Sequence, residues 1–305
     1  MNRITELMTS QTVLDNLTTN LDQLTTTTNQ LSSGLRITQP SDDPYGTSLA
    51  LQLNGAIASL GQYQNNVQDG TSWTNTADAS LSQMNSVIQR VRELVVQGAN
   101  GTASASDRAN SAAEVNQLID QVKQQANTTY AGSYIFSGSA SQTPPYQTGA
   151  NDSYQGNSGT VSRLIAPNTT VQVNVNISGL LGNGQSPGDG LLLDTLRTVS
   201  ADLSGGTAAN LTALQTTDLT NLDANLSTLQ QMQAQVGATS DRLTLATASI
   251  TAMTASSQKS LAADTNVDFV TASTAYSTEQ AGYQAALKAG ASIVQSSLLT
   301  FLNAA

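Results

Sequence analysis

The sequence predicts a mainly α protein. Long terminal and central helices form coiled-coil or bundle layers, and a small β-rich outer domain is inserted mid-chain. Three observations lead there. Apolar residues recur at steps of 3, 4 and 7 near both ends of the 305-residue chain. That period is lost from about Tyr134, where Pro144, Pro145, Gly149, Gly156, Gly159 and Pro167 punctuate the chain. It resumes at Leu191, Leu192, Leu196, Val199 and Leu203.

In order, the first helix carries Ile4, Leu7, Leu14, Leu17, Leu21, Leu24, Leu31 and Leu35, a narrow seam among Thr, Asn, Gln and Ser. A second stripe runs through Leu49, Leu53, Ile57, Leu60 and Tyr63, and a third through Leu81, Met84, Val87, Ile88, Val91, Leu94 and Val95. Asn100-Gly101 signals a turn, after which Ser106 is placed to cap a helix bearing Val115, Leu118, Ile119 and Val122. Val171, Val173, Val175 and Ile177 alternate with polar residues and predict a half-buried strand. A loop follows over Gly179 to Gly190. Leu222, Leu226, Leu229, Val236, Leu243 and Ile250 form another long seam. The C-terminal helix presents Phe269, Ala272, Tyr276, Tyr283, Ala286, Gly290 and Ile293, widened by Leu287, Val294, Leu298 and Phe301.

The organisation is therefore nested, with the two ends side by side. Residues 1–40 and 265–305 are expected to form an inner coiled-coil domain. Residues 41–133 and 191–264 form a helical bundle, and 134–190 a small β-rich outer domain. Inner packing is expected from Leu14, Leu17, Leu21, Leu24 and Leu31, with Tyr276, Tyr283, Leu287, Ile293, Leu298 and Phe301 opposite. Eight large apolar side chains over the first helix are few for the backbone they must order. Isolated helices are marginal in water. Both ends are thus expected to fold against neighbouring subunits; an intramolecular bundle with the central helices is the alternative.

Composition narrows the function. Charged residues are only 10% of the chain, against about 25% in typical soluble domains. The net charge is −10 and no basic face exists to neutralise phosphates, so neither nucleic acid nor an anionic membrane surface is an expected partner. Cys and His are absent, which excludes disulfides, Cys/His zinc sites and Ser-His-Asp triads. The N-terminus lacks the apolar core of a secretory signal, and no apolar run is long enough to span a membrane. There is no GxxxxGK[ST] loop, and the glycines near Gly182 and Gly184 have no βαβ context. No cofactor, metal or enzyme activity is expected.

The stretch NQLSSGLRITQPSDDPYG (Asn29–Gly46) concentrates stop signals after a long helical pattern. Gly34, Leu35, Arg36, Pro40, Ser41, Asp42, Asp43 and Pro44 are read as a joint. Gly34 weakens the first helix, and Pro40 pushes Gln39 out of helical geometry. Asp43 caps the next helix with Pro44 at its first position, while Ser41 and Asp42 add acceptors and negative charge near its start. Arg90, Arg92 and Glu93 with Leu94 concentrate charge in a charge-poor chain. Together with Arg108 and Glu114 they are candidates for a subunit contact; a solvated helix face is the other reading.

Several of these segments resemble one family. LSSGLRI (Leu31–Ile37) with its following aspartate pair, and VRELVVQGANGTASASDR (Val91–Arg108), resemble the flagellins and related axial proteins of the bacterial flagellum. PSDDP (Pro40–Pro44), YAGSYIFSGSASQTPPY (Tyr130–Tyr146), Tyr154-Gln155-Gly156 and VGATSDRL (Val236–Leu243) are similar to the family's hook–filament junction branch. Arg90 to Leu94 is more like the filament subunits, which keeps a flagellin as the alternative. The resemblance implies terminal helices in an inner tube, a surrounding helical layer and a projecting β domain. It implies export by the flagellar type III secretion system and an extracellular place at the hook–filament junction. The implied partners are hook-associated protein 1, flagellin, other copies in a ring of roughly a dozen subunits, and an export chaperone on the C-terminal helix.

Overall fold

The computed structural model describes residues 2–149, 151–182 and 189–303. The chain is mainly helical, as its periodicities predict. The element order is α1 (Asn2–Ser33), α2 (Pro44–Gly98), α3 (Ala105–Ala126), β1 (Thr129–Tyr130), β2 (Ser133–Tyr134), β3 (Ser162–Ala166), β4 (Thr169–Gln172), α4 (Ser178–Leu181), α5 (Leu192–Gly205), α6 (Ala208–Gln215), α7 (Thr217–Thr265) and α8 (Phe269–Asn303). These form two compact units, Met1–Ser59 with Ala252–Ala305, and Leu60–Thr251.

In the first unit α1 packs against α8. The close approach depends on Gly290: a Cβ there would lie 3.1 Å from Val13 and 3.6 Å from Leu17. Leu17, Leu24, Leu31, Tyr276 and Tyr283 are half-buried. Leu14 and Leu21 are 58% and 44% exposed, and Leu287 is exposed with them. The reason is angular. Residues 14 and 21 lie on a line about 60° around the helix from 17, 24 and 31, so one partner helix covers only one line. The side chains of Ile293, Leu298 and Phe301 lie outside the described residues. Leu35 leaves the predicted seam: α1 ends at Ser33, and Leu35 forms an isolated antiparallel bridge with Asn266.

In the second unit one large core joins α2, α3, α5 and α7. Leu81, Met84, Ile88, Val91 and Val95 of α2 meet Val115, Ile119 and Val122 of α3. Leu196, Val199 and Leu203 of α5 and Leu222, Leu229 and Val236 of α7 complete it. A smaller core holds Leu60, Val67, Ile165, Val171, Leu243 and Ile250. The two sheets are antiparallel pairs, β1–β2 and β3–β4, the second with a bulge between Leu164 and Ala166. Arg163 anchors that hairpin to α2: it pairs with Asp69 and lies 5.7 Å over the Trp73 ring.

Two local expectations are corrected. The α3 cap is Ser104, not Ser106. Its hydroxyl accepts from the Asp107 N–H at 3.1 Å, and the Asp107 carboxylate accepts from the Ser104 N–H, a reciprocal capping box. The predicted strand through Ile177 ends at Gln172. Beyond it the buried Asn174 side chain substitutes for the ladder, accepting from Val161 N–H at 2.7 Å and donating to the Gly159 carbonyl at 2.9 Å. Val173 N–H still donates to the Val161 carbonyl at 2.9 Å, and Val175 and Ile177 stay buried beyond the strand.

A paired joint as the candidate functional site

α1 ends because Gly34 adopts φ +73°, the left-handed geometry of a C′ glycine. Its N–H still donates to the Gln30 carbonyl at 2.8 Å. The chain then runs alongside the segment that returns to α8. Arg36 N–H donates to Thr265 O at 2.7 Å, and Val267 N–H donates to Gly34 O at 3.0 Å. The Arg36 guanidinium fixes the pairing. It donates to the Asp264 carbonyl at 2.7 and 3.1 Å and to Asp43 Oδ2 at 3.1 Å.

The two aspartates of the pair have different work. Asp42 Oδ2 accepts from Gln39 N–H, Thr38 N–H and Thr38 Oγ1, all at 2.8–2.9 Å. Asp43 Oδ1 caps α2, accepting from Gly46 N–H at 2.9 Å, with Pro44 in the first helical position. Hydrogen bonds from Gln39 and Thr38 hold Asp42 below its ordinary carboxylate pKa; bonds from Gly46 N–H and Arg36 do the same for Asp43. Gly46 is needed for space, since a Cβ would lie 2.5 Å from Ile37 and 2.7 Å from Asp43 Oδ2. Pro40 and Ser41 are exposed in the turn between the helices. Among the described residues no group of three or more potential metal ligands occurs, and the Asp42 and Asp43 oxygens above are occupied by the chain's own donors.

The returning strand has its own cap. Asp268 Oδ1 accepts from Val270 N–H at 2.9 Å and Thr271 N–H at 3.3 Å. Asp264 and Asp268 escaped the sequence reading. For Asp268 a signal existed, an aspartate three residues before Thr271 at the start of an apolar run. For Asp264 none did, because its partner Arg36 is 228 residues away. Replacing Gly34 by alanine is expected to cost about 1–2 kcal/mol, the penalty of the left-handed region for a residue with a Cβ. Thermal unfolding followed by circular dichroism checks this; Gly34→Asn should lose less, and an unchanged Gly34→Ala melt contradicts the assignment.

The second candidate group lies in the other unit. Arg90 Nε reaches Glu114 at 2.7 Å and its Nη1 reaches Glu93 at 3.0 Å. Hydrogen bonding to Glu114, then to Glu93, holds Arg90 above its ordinary range. Arg92 pairs with Asp223 of α7 at 3.0 Å. Arg108 is half-buried and donates to the Ala103 carbonyl at 2.7 Å. Leu94 does not belong with them. It is 2% exposed and seals the unit's own core beside Val91 and Val95.

Residues 4–141, from α1 through β2, match the family profile of the bacterial flagellin N-terminal helical region. That stretch is similar to the N-terminal helical region of flagellins. It is 39% identical over 116 residues to a flagellin of Clostridium tyrobutyricum, covering 38% of this chain and 31% of that one. It is 38% identical over 117 residues to flagellar hook-associated protein 3 of Escherichia coli K12, covering 38% and 37%. The chain thus spans well under half the length of the curated flagellins and hook-associated protein that it matches. Structural likeness extends further. A putative flagellar hook-associated protein from Vibrio parahaemolyticus superposes with TM-score 0.66 at 20% identity, over 73% of this chain and 99% of that one. Bacillus cereus FlgL gives 0.59 at 21% identity, over 69% and 99%. These likenesses establish a flagellin-type helical fold with a small β-containing insertion.

Proposed function

We propose that this chain is a structural subunit of the bacterial flagellum acting at the hook–filament junction, where it links hook-associated protein 1 to flagellin. The observation that carries the reading is the near-complete correspondence, 99% of their length, with the chain path of two solved hook-associated proteins. In this reading the protein works by packing and not by chemistry. Residues 1–40 and 265–305 form the inner layer of a ring of roughly a dozen copies. Residues 41–133 and 191–264 surround it, and 134–190 project outward. The joint at Gly34–Pro44 ends the inner layer.

The surface of α1 suits burial against other copies. Thr12, Thr18, Thr19, Thr25, Thr26, Thr27 and Thr28 each donate their hydroxyl to the carbonyl four residues back. A helix that satisfies its own hydroxyls loses little when water is removed. Exposed Leu14 and Leu21 lie among them and supply the apolar line. Arg90, Arg92, Glu93, Arg108 and Glu114 are the proposed lateral contacts. Export by the flagellar type III secretion system, with a chaperone on α8, completes the proposal. None of the described helices is long and apolar enough to cross a membrane.

A second reading, the filament subunit itself, is favoured by the identity with flagellins. Labelling in intact cells separates the two. The junction reading expects a label at one position per flagellum. It also expects a deletion strain that keeps its hooks and releases flagellin unpolymerised. Label along the whole filament, or full filaments in the deletion strain, overturns it.

A further inference from the structure

The chain holds three Asn-Gly dipeptides, at Asn54, Asn100 and Asn183; the last lies outside the described residues. The other two are both open to solvent. Asn54, Gly55, Asn100 and Gly101 are all exposed, and neither glycine has a neighbour within 4 Å of where a Cβ would stand. Their backbones differ. Asn54-Gly55 lies inside α2, where the Gly55 N–H belongs to the i→i−4 ladder. Asn100-Gly101 lies between the end of α2 at Gly98 and the start of α3 at Ala105. There Asn100 Oδ1 accepts from Thr102 N–H at 3.3 Å and Asn100 O accepts from Ala103 N–H at 3.0 Å. Among the described residues the Gly101 N–H donates no hydrogen bond.

We propose that Asn100 is a site of self-modification, converting to aspartate and isoaspartate in the folded protein, while Asn54 is protected by its helix. The Gly101 nitrogen gives its proton to solvent base and attacks Asn100 Cγ. The N–Cγ bond forms, the Cγ–Nδ2 bond breaks, and the amide leaves as ammonia after taking up a proton. Water then opens the five-membered succinimide at either carbonyl, giving aspartate or isoaspartate. The chain and water are the only reactants. The Thr102 N–H on Oδ1 polarises the carbonyl that is attacked and stabilises the oxygen charge that develops. Glycine leaves the approach unhindered.

The turn so altered is a fixed one. Gln215 of α6 donates to the Ala99 carbonyl at 2.9 Å, Arg108 donates to the Ala103 carbonyl at 2.7 Å, and the Ser104–Asp107 box follows. Either product adds a negative charge to a chain already at −10, and isoaspartate also lengthens its main chain by one carbon. The modified protein therefore carries a loosened α2–α3 turn.

The test is peptide mapping of the full chain after incubation at mildly alkaline and mildly acidic pH, reading the mass gain of NH2 replaced by OH. An isoaspartyl methyltransferase scores the isoaspartate product. The Asn100 peptide should convert at least about tenfold faster than the Asn54 peptide, the factor that about 1.4 kcal/mol of helix opening imposes. It should convert faster at alkaline pH, and Asn100→Gln should abolish the signal. In urea the two peptides should convert alike, which shows that the fold makes the difference. Equal conversion of Asn54 and Asn100 in the native chain, or an intact Asn100 where the urea sample converts, overturns the proposal.

Discussion

Replacing Asp152 by alanine is expected to destabilise the second unit by about 3–5 kcal/mol, the usual cost of stranding a buried charge. Asp152 and Lys123 are each 1% exposed, in direct contact through Lys123 Nζ and Asp152 Oδ1. Arg197 closes the group, binding Asp152 through Nε and also through Nη2 at 2.8 Å. Lys123 further donates to the carbonyls of Gly149 at 2.6 Å and Asn151 at 3.0 Å, so the ions pin the segment after β2 onto α3 and α5. Burial pushes the Asp152 pKa up, but hydrogen bonds from Arg197 and Lys123 outweigh it and leave the group below its ordinary range. Without Asp152 the Lys123 ammonium has no counter-ion beside it. Arg197 is partly exposed and can turn to water. The double variant Lys123→Met with Asp152→Leu should therefore recover most of the loss. Urea unfolding at constant m-value measures both. A loss under about 1 kcal/mol for Asp152→Ala would show that the group is not stabilising in the way its burial implies.

Asp218 should act in the opposite direction with pH. It is 1% exposed, its Oδ2 has no partner among the described residues, and it lies within hydrogen-bonding reach of Asp202. Burial, then the Asp202 charge, pushes its pKa from 3.8 up to about 6. The native state therefore holds a proton that the unfolded chain has released across that window. Its stabilising effect is complete below the ordinary value and is lost as pH rises through about 6. Asp218→Asn stays neutral and can donate to Asp202. At mildly alkaline pH it should be more stable than the wild type by up to about 3 kcal/mol, with the advantage vanishing at low pH. Unfolding free energy measured across the window decides it. An Asn variant no more stable above neutrality would mean that Asp218 titrates normally.

How far the sequence foretold these features follows from the range of each interaction. Helices and caps are local, so the stripe Leu81 to Val95 and the Asp43–Pro44 start of α2 were readable from spacing alone. Seams were readable as lines but not by which line a partner covers, which is why Leu14 and Leu21 stand outside the α1–α8 contact. The pattern at Val171 to Ile177 correctly marks buried positions. It misjudges the strand because Asn174, counted as an outward polar residue, turns inward and takes over backbone pairing. The ion group at Lys123, Asp152 and Arg197 left no trace in the sequence. A lone lysine beside Val122 reads as the edge of an apolar stripe, and its partners come from a loop and a helix that only folding brings close. Arg36 and Asp264 were hidden by the same distance along the chain.

The buried line of α7 has one more consequence. Leu222, Leu229, Val236, Leu243 and Ile250 stand seven residues apart, across both cores of the second unit. Such a line repeats every two turns at 3.5 residues per turn. An insertion or deletion of seven residues within it restores the facing. A change of three or four turns everything beyond it by about 50° and carries the next apolar residue off the line. Length changes in whole heptads therefore keep this packing line, whereas steps of three or four must be absorbed by local winding of the helix.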